Sequence, residues 1–320
     1  MSLCATGGGW RNTGRHRLTS TLTRADALPW VALILFGAGW GIMQPLTKIA
    51  VSGGFEPFGI MVWQGVASLV LGGLLSARYG PPRGRWQWLF CAQVAVLGTL
   101  IPHFASFTAI AHLPAGLMAI IMALIPIFAL LMGGVIGLEP VTARRALGIG
   151  CGLAAIAVIA ATHGDMGTDL GTGPLWAVGV AVVAPLCYAT NSTLTSARGL
   201  YGMHPLQALA GSALLFLPVA TGGAVITGQL KGLGADLPSL AVAGSVVGHT
   251  LIYAGFLWLI ARSGAVFASQ TAYLVTGFGV LWSMVLLGER YALAIWLALA
   301  LMLAGLSLVR PRATGDTGTN

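Results

Sequence analysis

Long apolar stretches separated by short polar ones fill most of the sequence between residues 28 and 309. A helix that crosses the hydrocarbon core of a bilayer needs roughly 20 mostly apolar residues. Strict alternation of apolar and polar residues, the pattern of a membrane β-strand, is absent. We therefore predict an all-α membrane protein with ten transmembrane helices, whose spans are 28–51, 57–76, 86–110, 115–138, 145–162, 174–197, 206–228, 238–260, 265–287 and 291–309.

The composition agrees with this pattern. Of the 320 residues, 57% are hydrophobic and 8% are charged, whereas soluble proteins carry about 25% charged residues. So few charges cannot cover a soluble body, which excludes a soluble enzyme, a disordered chain and a nucleic-acid-binding protein. The scattered cysteines form neither a disulfide framework nor a metal-ligand spacing, so we expect no metal and no cofactor; they are Cys4, Cys91, Cys151 and Cys187.

The basic residues predict the orientation of the chain. With the N-terminus in the cytoplasm, the inner side receives Arg11, Arg15, Arg17, Arg24, Arg78, Arg83, Arg85, Arg144, Arg145, Arg198, Arg262, Arg310 and Arg312. The outer side receives Lys48, Lys231 and Arg290. This bias follows the positive-inside rule and predicts that both termini are cytoplasmic. The net charge of +8 then reflects topology and contact with anionic lipids, and it requires no nucleic acid partner. Lys48 is close enough to the end of its span to snorkel to the interface.

Two segments lie outside the predicted helices, at 1–27 and 310–320. We interpret residues 1–27 as a disordered, basic cytoplasmic tail and residues 310–320 as a second disordered tail. The alternative for the N-terminal segment is an organelle transit peptide, because residues 1–25 are rich in arginine and contain no acid. A cleavable signal peptide is not expected, since the first apolar segment is too long for one.

An internal repeat relates the two halves of the chain. Ala111, Ala115, Leu124 and Glu139 recur 150 residues later as Ala261, Ala265, Leu274 and Glu289. The chain thus divides into two five-helix repeats, at 28–162 and 174–309. Because five is an odd number, the second repeat enters the membrane from the opposite side. Such inverted repeats are typical of secondary transporters, which hold substrate near the membrane midplane.

Short motifs accompany the repeat. The first copy contains the runs Leu113-Pro114-Ala115-Gly116, Leu124-Ile125-Pro126-Ile127-Phe128 and Gly137-Leu138-Glu139-Pro140. The second contains Gly264-Ala265 and Leu287-Gly288-Glu289-Arg290, with Thr276 where the first has Pro126. These runs resemble the EamA domain of the drug/metabolite transporter superfamily. The resemblance implies two tandem EamA domains in a bacterial inner (plasma) membrane, with export of amino acids or small metabolites.

Polar residues inside the predicted spans are costly in hydrocarbon, so we expect them to face each other or a water-filled cavity. Helical spacing predicts one cavity lined mainly by the first, third, sixth, eighth and ninth helices. The substrate-binding candidates are Trp40, Gln44, Gln64, Thr99, His103, Tyr188, Asn191, His249, Tyr253, Gln270 and Tyr273. Their amides and hydroxyls suit a polar or zwitterionic solute, and their rings offer flat apolar walls. The alternative is that they only hydrogen-bond one helix to another.

Energy coupling has one candidate residue. No Asp or Glu occurs within a predicted span, and histidine titrates near physiological pH. His249 is therefore the candidate for binding a coupled proton, and the alternative is a neutral imidazole that only donates or accepts hydrogen bonds. Glu139 and Glu289 follow helices, where we expect interface hydrogen bonds or pairing with a nearby arginine.

Three glycine pairs match the small-xxx-small pattern of close helix packing, namely Gly37 with Gly41, Gly133 with Gly137, and Gly148 with Gly152. The last pair also allows a homodimer.

The sequence thus favours a secondary transporter of small organic solutes that works by alternating access and is not an enzyme. The alternatives are an integral-membrane enzyme that uses buried histidines and a passive channel. The histidines are too dispersed for a metal site, and two pseudo-symmetric halves without a ring of charges favour a carrier over a channel.

Overall fold

The computed structural model describes residues 24–137, 142–161, 174–263, 268 and 270–308. The described helices are α1 (Arg24–Gly41), α2 (Met43–Ser52), α3 (Pro57–Ser76), α4 (Arg85–Ala95), α5 (Ile101–His112), α6 (Ala115–Met122), α7 (Ile125–Val135), α8 (Ala143–Ala161), α9 (Leu175–Arg198), α10 (Pro205–Thr227), α11 (Leu237–Ser263), α12 (Thr271–Leu287) and α13 (Leu293–Leu308). A π-helical turn, Val96–Leu100, joins α4 to α5. No β-strand occurs in these ranges.

The helices follow the predicted spans closely. The first, third and fourth spans each divide into two helices. The second, fifth, sixth, seventh, eighth and tenth spans correspond to one helix each, and the beginning of the ninth lies partly outside the described residues. Helix α1 begins at Arg24, before the predicted start at residue 28. Residues 1–23 and 310–320 of the predicted tails lie outside the described residues, as does Glu139.

Prolines explain the interrupted spans. Proline has no N–H to donate to the carbonyl one turn earlier, and its ring clashes with that carbonyl. Pro45 follows the break between α1 and α2, and Pro126 stands in the first turn of α7. Pro102 stands in the first turn of α5, directly after the π-helical turn.

Within the described residues, seven helical stretches are long and apolar enough to cross a membrane. They are Leu28–Ser52, Pro57–Tyr79, Arg85–His112, Ala115–Val135, Leu175–Arg198, Pro205–Thr227 and Leu237–Leu259. Two shorter helices, Thr271–Leu287 and Leu293–Leu308, are also apolar. Large apolar side chains point away from the protein on many helices, and Val135 and Leu293 are more than four-fifths exposed. An outer surface of this kind is typical of a protein that is surrounded by lipid.

Helix α6 is the centre of the largest hydrophobic core. Its side chains are almost completely buried, including Leu117, Met118 and Ile120. Residues of α5, α7, α8, α9, α12 and α13 complete this core. The main packed pairs elsewhere are α3 with α10, α1 with α11 and α12, α2 with α11, α5 and α7 with α9, and α4 with α10. Helices from both halves of the chain therefore share one interior.

Two of the glycine pairs provide close packing. Gly41 approaches α12 so closely that a Cβ atom there would lie 2.9 Å from the amide nitrogen of Gly279. A Cβ atom on Gly305 of α13 would lie 2.8 Å from the carbonyl of Gly148. The stripe of Gly148 and Gly152 therefore packs on α13 of the same chain, and a homodimer through this stripe would have to displace α13.

The third glycine pair does not pack as predicted. A Cβ atom on Gly133 would meet no atom within 4 Å. Gly137 has a φ of 73° and follows the C-terminus of α7, where a residue without Cβ is favoured. The prediction of close packing was thus wrong for this pair, because one glycine faces open space and the other ends a helix.

Lys48 finds hydrogen-bond acceptors within the protein. Its ammonium donates to the carbonyls of Ile110, Ala111 and Leu113 at 2.7, 3.2 and 3.0 Å. These carbonyls lie at the C-terminal end of α5, where the helix leaves acceptors without partners. The acceptors inside the protein replace water, so the side chain stays within the bundle.

Candidate functional site

Two histidines from different halves of the chain meet in the interior. The ring centroids of His103 on α5 and His249 on α11 are 6.3 Å apart, with an interplanar angle of 87°. Tyr188 of α9 lies edge-on to His103 at 6.3 Å. Trp40 of α1 lies 6.4 Å from His249. Four of the predicted candidates are therefore neighbours, and they come from four different helices.

Two phenylalanines extend this group. Phe107 stacks on His103 with centroids 5.3 Å apart, and Phe256 contacts Trp40 edge-to-face at 4.9 Å. We call the six residues the ring cluster: Trp40, His103, Phe107, Tyr188, His249 and Phe256. Aromatic pairs prefer such offset and edge-to-face arrangements, which leave ring faces available to a flat or apolar group.

Several buried polar atoms make no hydrogen bond within the protein. They include Nδ1 of His103 and the hydroxyl of Tyr273. Thr108 and Thr271 each have a hydroxyl of the same kind. A buried polar atom without a partner is costly and calls for an explanation. At His103, a polar group of a bound solute would supply the missing partner inside the ring cluster.

Asn191 lies one turn beyond Tyr188 on α9 and makes a specific polar contact. The amide nitrogen Nε2 of Gln93 donates to Oδ1 of Asn191 at 3.1 Å. The side-chain nitrogen of Asn191 also lies close to Gly98 in the π-helical turn, at 3.3 Å from the position of a Cβ atom there. Asn191 therefore joins α9 to the third span, as the helix-to-helix alternative predicts for such a residue.

The remaining candidates lie on the surrounding helices. Gln44 and Tyr253 are half-buried on α2 and α11, Gln64 is buried on α3, and Gln270 directly precedes α12. Thr99 is buried within the π-helical turn. Within the described part of the chain, the ring contacts that define the cluster involve none of these five residues.

A regular α-helix, with 100° of rotation per residue, would place Thr99 on the same face as His103. The π-helical turn Val96–Leu100 lies between them and changes the angle per residue. The face drawn from 100° per residue therefore does not apply across this turn.

Residues 28–161 match the model of the EamA-like transporter family. This part of the chain is an EamA domain. The resemblance to the drug/metabolite transporter superfamily, inferred from the sequence motifs, is thereby confirmed. The match of this part of the chain to a transporter family suggests a membrane transporter.

The comparison of folds extends over most of the chain. A crystal structure of a protein with 16% sequence identity aligns with a TM-score of 0.59, covering 90% of this chain and 98% of that chain. The two proteins share a fold. No curated protein sequence matches this chain.

The EamA domain supplies only half of the ring cluster. Trp40, His103 and Phe107 belong to it, whereas the other three residues follow it in the chain. Among the described residues, no three His, Cys, Asp or Glu side chains come together as a metal site. The cluster offers ring faces, imidazole nitrogens and a phenol, which can bind a solute by stacking and hydrogen bonding.

Sequence reasoning missed Phe107, Phe256 and Gln93. Helical spacing contains a signal for the two phenylalanines, because Phe107 lies four residues after His103 and Phe256 lies seven after His249. A phenylalanine in an apolar helix is not unusual, however, so the pattern distinguishes only the polar residues of each face. Gln93 lies in the third predicted span, but its partner on α9 is far away in sequence.

Proposed function

We propose that this protein is a secondary transporter of small organic solutes that binds its substrate at the ring cluster and works by alternating access. The observation that carries the proposal is the contact between His103 and His249. The contact joins α5 to α11, and Trp40 and Tyr188 add helices α1 and α9 to the same place. A site built from four helices changes shape when these helices move, as a carrier requires.

The pattern of helix packing supports two repeated halves. Numbered as predicted spans, the closely packed pairs are first with eighth, first with ninth, second with seventh, second with eighth, third with sixth, third with seventh, fourth with sixth, fourth with ninth, and fifth with tenth. Exchanging each span for its counterpart in the other repeat (first with sixth, second with seventh, and so on) gives the same set of pairs. A pseudo-two-fold relationship between two five-helix repeats produces this result, and an inverted orientation of the second repeat follows from the odd number of spans.

Charge placement supports a topology with both termini in the cytoplasm of a bacterial cell and the chain in its inner membrane. The outer side then carries only three basic residues, and two of them have structural roles. Lys231 donates to the carbonyl of Gly53 at 2.7 Å, and Lys48 binds the end of α5. These two lysines are needed for packing, which accounts for their departure from the positive-inside rule.

For the substrate, we propose amino acids or related small metabolites and export as the direction. The family resemblance suggests this class, and the chemistry of the ring cluster suits it. Trp40 and the two phenylalanines present apolar faces to a side chain, whereas His103 and Tyr188 present polar atoms to an amino or carboxylate group.

Counterflow in liposomes tests the function. Purified protein is reconstituted with unlabelled amino acids inside, and uptake of the labelled compound is followed for each amino acid in turn. A carrier exchanges solute across the membrane and saturates, so labelled substrate accumulates transiently. Uptake that rises linearly with concentration, without exchange, would indicate a channel. The absence of exchange for every amino acid and small metabolite tried would contradict the proposed substrate class.

A further inference from the structure

A carboxylate is buried at one end of the helix bundle, away from the ring cluster. Glu289 follows α12 and is only 2% exposed. Its oxygens accept hydrogen bonds from the backbone N–H groups of Ala115 at 2.8 Å and Gly116 at 3.1 Å. The hydroxyl of Tyr291 donates to the same carboxylate. These two N–H groups begin α6, so the carboxylate meets free donors and the positive end of the helix dipole.

An ammonium group binds the preceding helix from the other side of the same turn. Lys48 stands near the end of α2 and donates to three carbonyls at and beyond the last turn of α5. A cation is favoured at the C-terminal end of a helix for the same reason that an anion is favoured at the N-terminal end. Lys48 and Glu289 are also close enough to attract each other.

The short turn between α5 and α6 is therefore held by two opposite charges from other parts of the chain. One charge comes from the first span and the other from the loop after the ninth. We call Lys48, Glu289 and Tyr291 the outer clamp, since the topology proposed above puts all three on the outer side. Ile110 lies seven residues after His103 on α5, which corresponds to about 10 Å along the helix axis at 1.5 Å per residue.

At the end with the outer clamp, α2 packs against both α5 and α6. The first span is therefore joined to the third and the fourth at this end of the bundle.

We propose that the outer clamp is the outer gate of the transporter. The inference rests on the proposed function, because a gate needs a carrier that alternates. In this conformation, the hydrogen bonds of Lys48 and Glu289 hold the outer end closed. Opening toward the outside requires the first span to leave α5 and the loop after α12 to leave α6. These hydrogen bonds therefore break in each transport cycle, and removing them favours the outward-open conformation.

Sided labelling of a single cysteine tests this gate. The reporter is Tyr188→Cys in the ring cluster, in the full-length chain with the four native cysteines replaced by alanine. A membrane-impermeant maleimide is added to right-side-out or to inverted vesicles, and the labelling rate is measured for each side. The gate variants are Lys48→Met and Glu289→Gln. The control is Glu56→Gln, which alters an exposed carboxylate on the same predicted side.

Each gate variant is expected to raise labelling from outside by about tenfold or more, because it weakens or removes several hydrogen bonds to a charged group, and to lower labelling from inside. Lys48→Arg restores the original rates, because a guanidinium can also donate to the carbonyls of α5. Tyr291→Phe shifts both rates in the same directions by a smaller factor. This variant tests the gate even if Glu289→Gln fails to accumulate in the membrane.

Two results would overturn the gate. The first is unchanged labelling from both sides in Lys48→Met and Tyr291→Phe. The second is an equal rise from both sides, which would indicate a loosened structure without gating. Failure of the proposed function looks different, because the parent reporter would then be labelled from one side only or from neither, and substrate would not alter the rates.

Discussion

The imidazole rings of His103 and His249 lie 6.3 Å apart at an angle of 87°, although they belong to α5 and α11 in different halves of the chain. The predicted spans contain no carboxylate, so these two side chains are the groups in the ring cluster that titrate most readily. Protonating one imidazole would disfavour a second charge on the other, because like charges at this distance repel. If one imidazole binds a proton, the pair is therefore expected to carry a single charge, which is the hypothesis that substitution of His249 tests.

We expect His249→Gln to abolish the stimulation of transport by an imposed pH gradient while leaving counterflow measurable. Glutamine retains hydrogen-bonding groups but binds no proton. Transport in proteoliposomes is measured with and without the gradient. His112→Gln is the control, because His112 is exposed and packs on Trp176 instead of the cluster. An unchanged gradient dependence in His249→Gln would remove this residue from proton coupling and support the neutral imidazole.

Trp40 contacts both His249 and Phe256, so its ring forms one wall of the proposed substrate site. Trp40→Ala is expected to weaken the apparent affinity about tenfold, since an aromatic contact contributes ~0.5–1.5 kcal/mol beyond the area it buries. Trp40→Phe keeps a flat ring and should lose less. Substrate-dependent thermal shifts and counterflow measure both effects. Trp258→Ala is the control because its ring is exposed, and an equal loss there would argue against a specific role for Trp40.

The sequence predicts the long apolar helices because a span must satisfy its backbone hydrogen bonds within its own helix in hydrocarbon, and this demand acts locally. Among the described residues, seven stretches have the length and hydropathy of a span, and the fifth, ninth and tenth predicted spans are not among them. The sequence also identifies His103 and His249, since large polar groups at depth are unusual. The contact between the two imidazole rings depends on packing between α5 and α11, which one sequence does not reveal. Thr99 shows the opposite case, because a π-helical turn alters the face on which a regular helix would place it.

Tertiary partners explain the other differences. The sequence shows that Lys48 lies near the end of its span. It does not show that the C-terminal end of α5 offers this side chain three carbonyls. The interface hydrogen bonds expected for Glu289 are confirmed, but their partners on α6 come from the other half of the chain. Phe107 and Phe256 carry no polar atom in their side chains, so nothing distinguished them from lipid-facing residues.

Close packing between α1 and α12 depends on Gly41. We expect Gly41→Ala to lower the free energy of unfolding by about 1–3 kcal/mol, as overpacking does in other interiors, because the new methyl group would lie 2.9 Å from the backbone of Gly279. Gly133→Ala is the matched control, since open space surrounds that position and alanine favours the helix. Thermal unfolding in detergent compares the two variants. Equal midpoints would show that α1 and α12 are less tightly packed than described.

His204 caps α10 and is expected to make stability depend on pH. Its Nδ1 accepts a hydrogen bond from the N–H of Leu206 at 3.3 Å. Burial, and then the charge of Arg78, hold the pKa of His204 below its usual value. The unfolded chain therefore binds the proton more readily, and the stability due to this residue is complete above about pH 6.5 and decreases as the pH falls below it.

The variant His204→Asn tests this dependence, because asparagine also caps helices but does not titrate. Thermal unfolding midpoints between pH 5 and pH 7.5 should fall more steeply with acid in the parent protein than in the variant. Parallel curves would mean that other groups cause the pH dependence.

The topology makes a prediction about both ends of the chain. The proposed ten spans would put residue 1 and residue 320 in the same compartment, and the charge bias predicts that this compartment is the cytoplasm. We expect reporter tags at both termini to respond only from inside. A cysteine that replaces Arg83, in the loop after α3, should also be labelled only from inside. A cysteine at Gly232, in the loop after α10, should be labelled only from outside. If the two termini reported from opposite compartments, the number of spans would be odd. The inverted repeats would then fail, and with them the equivalence of helix pairs on which the carrier mechanism depends.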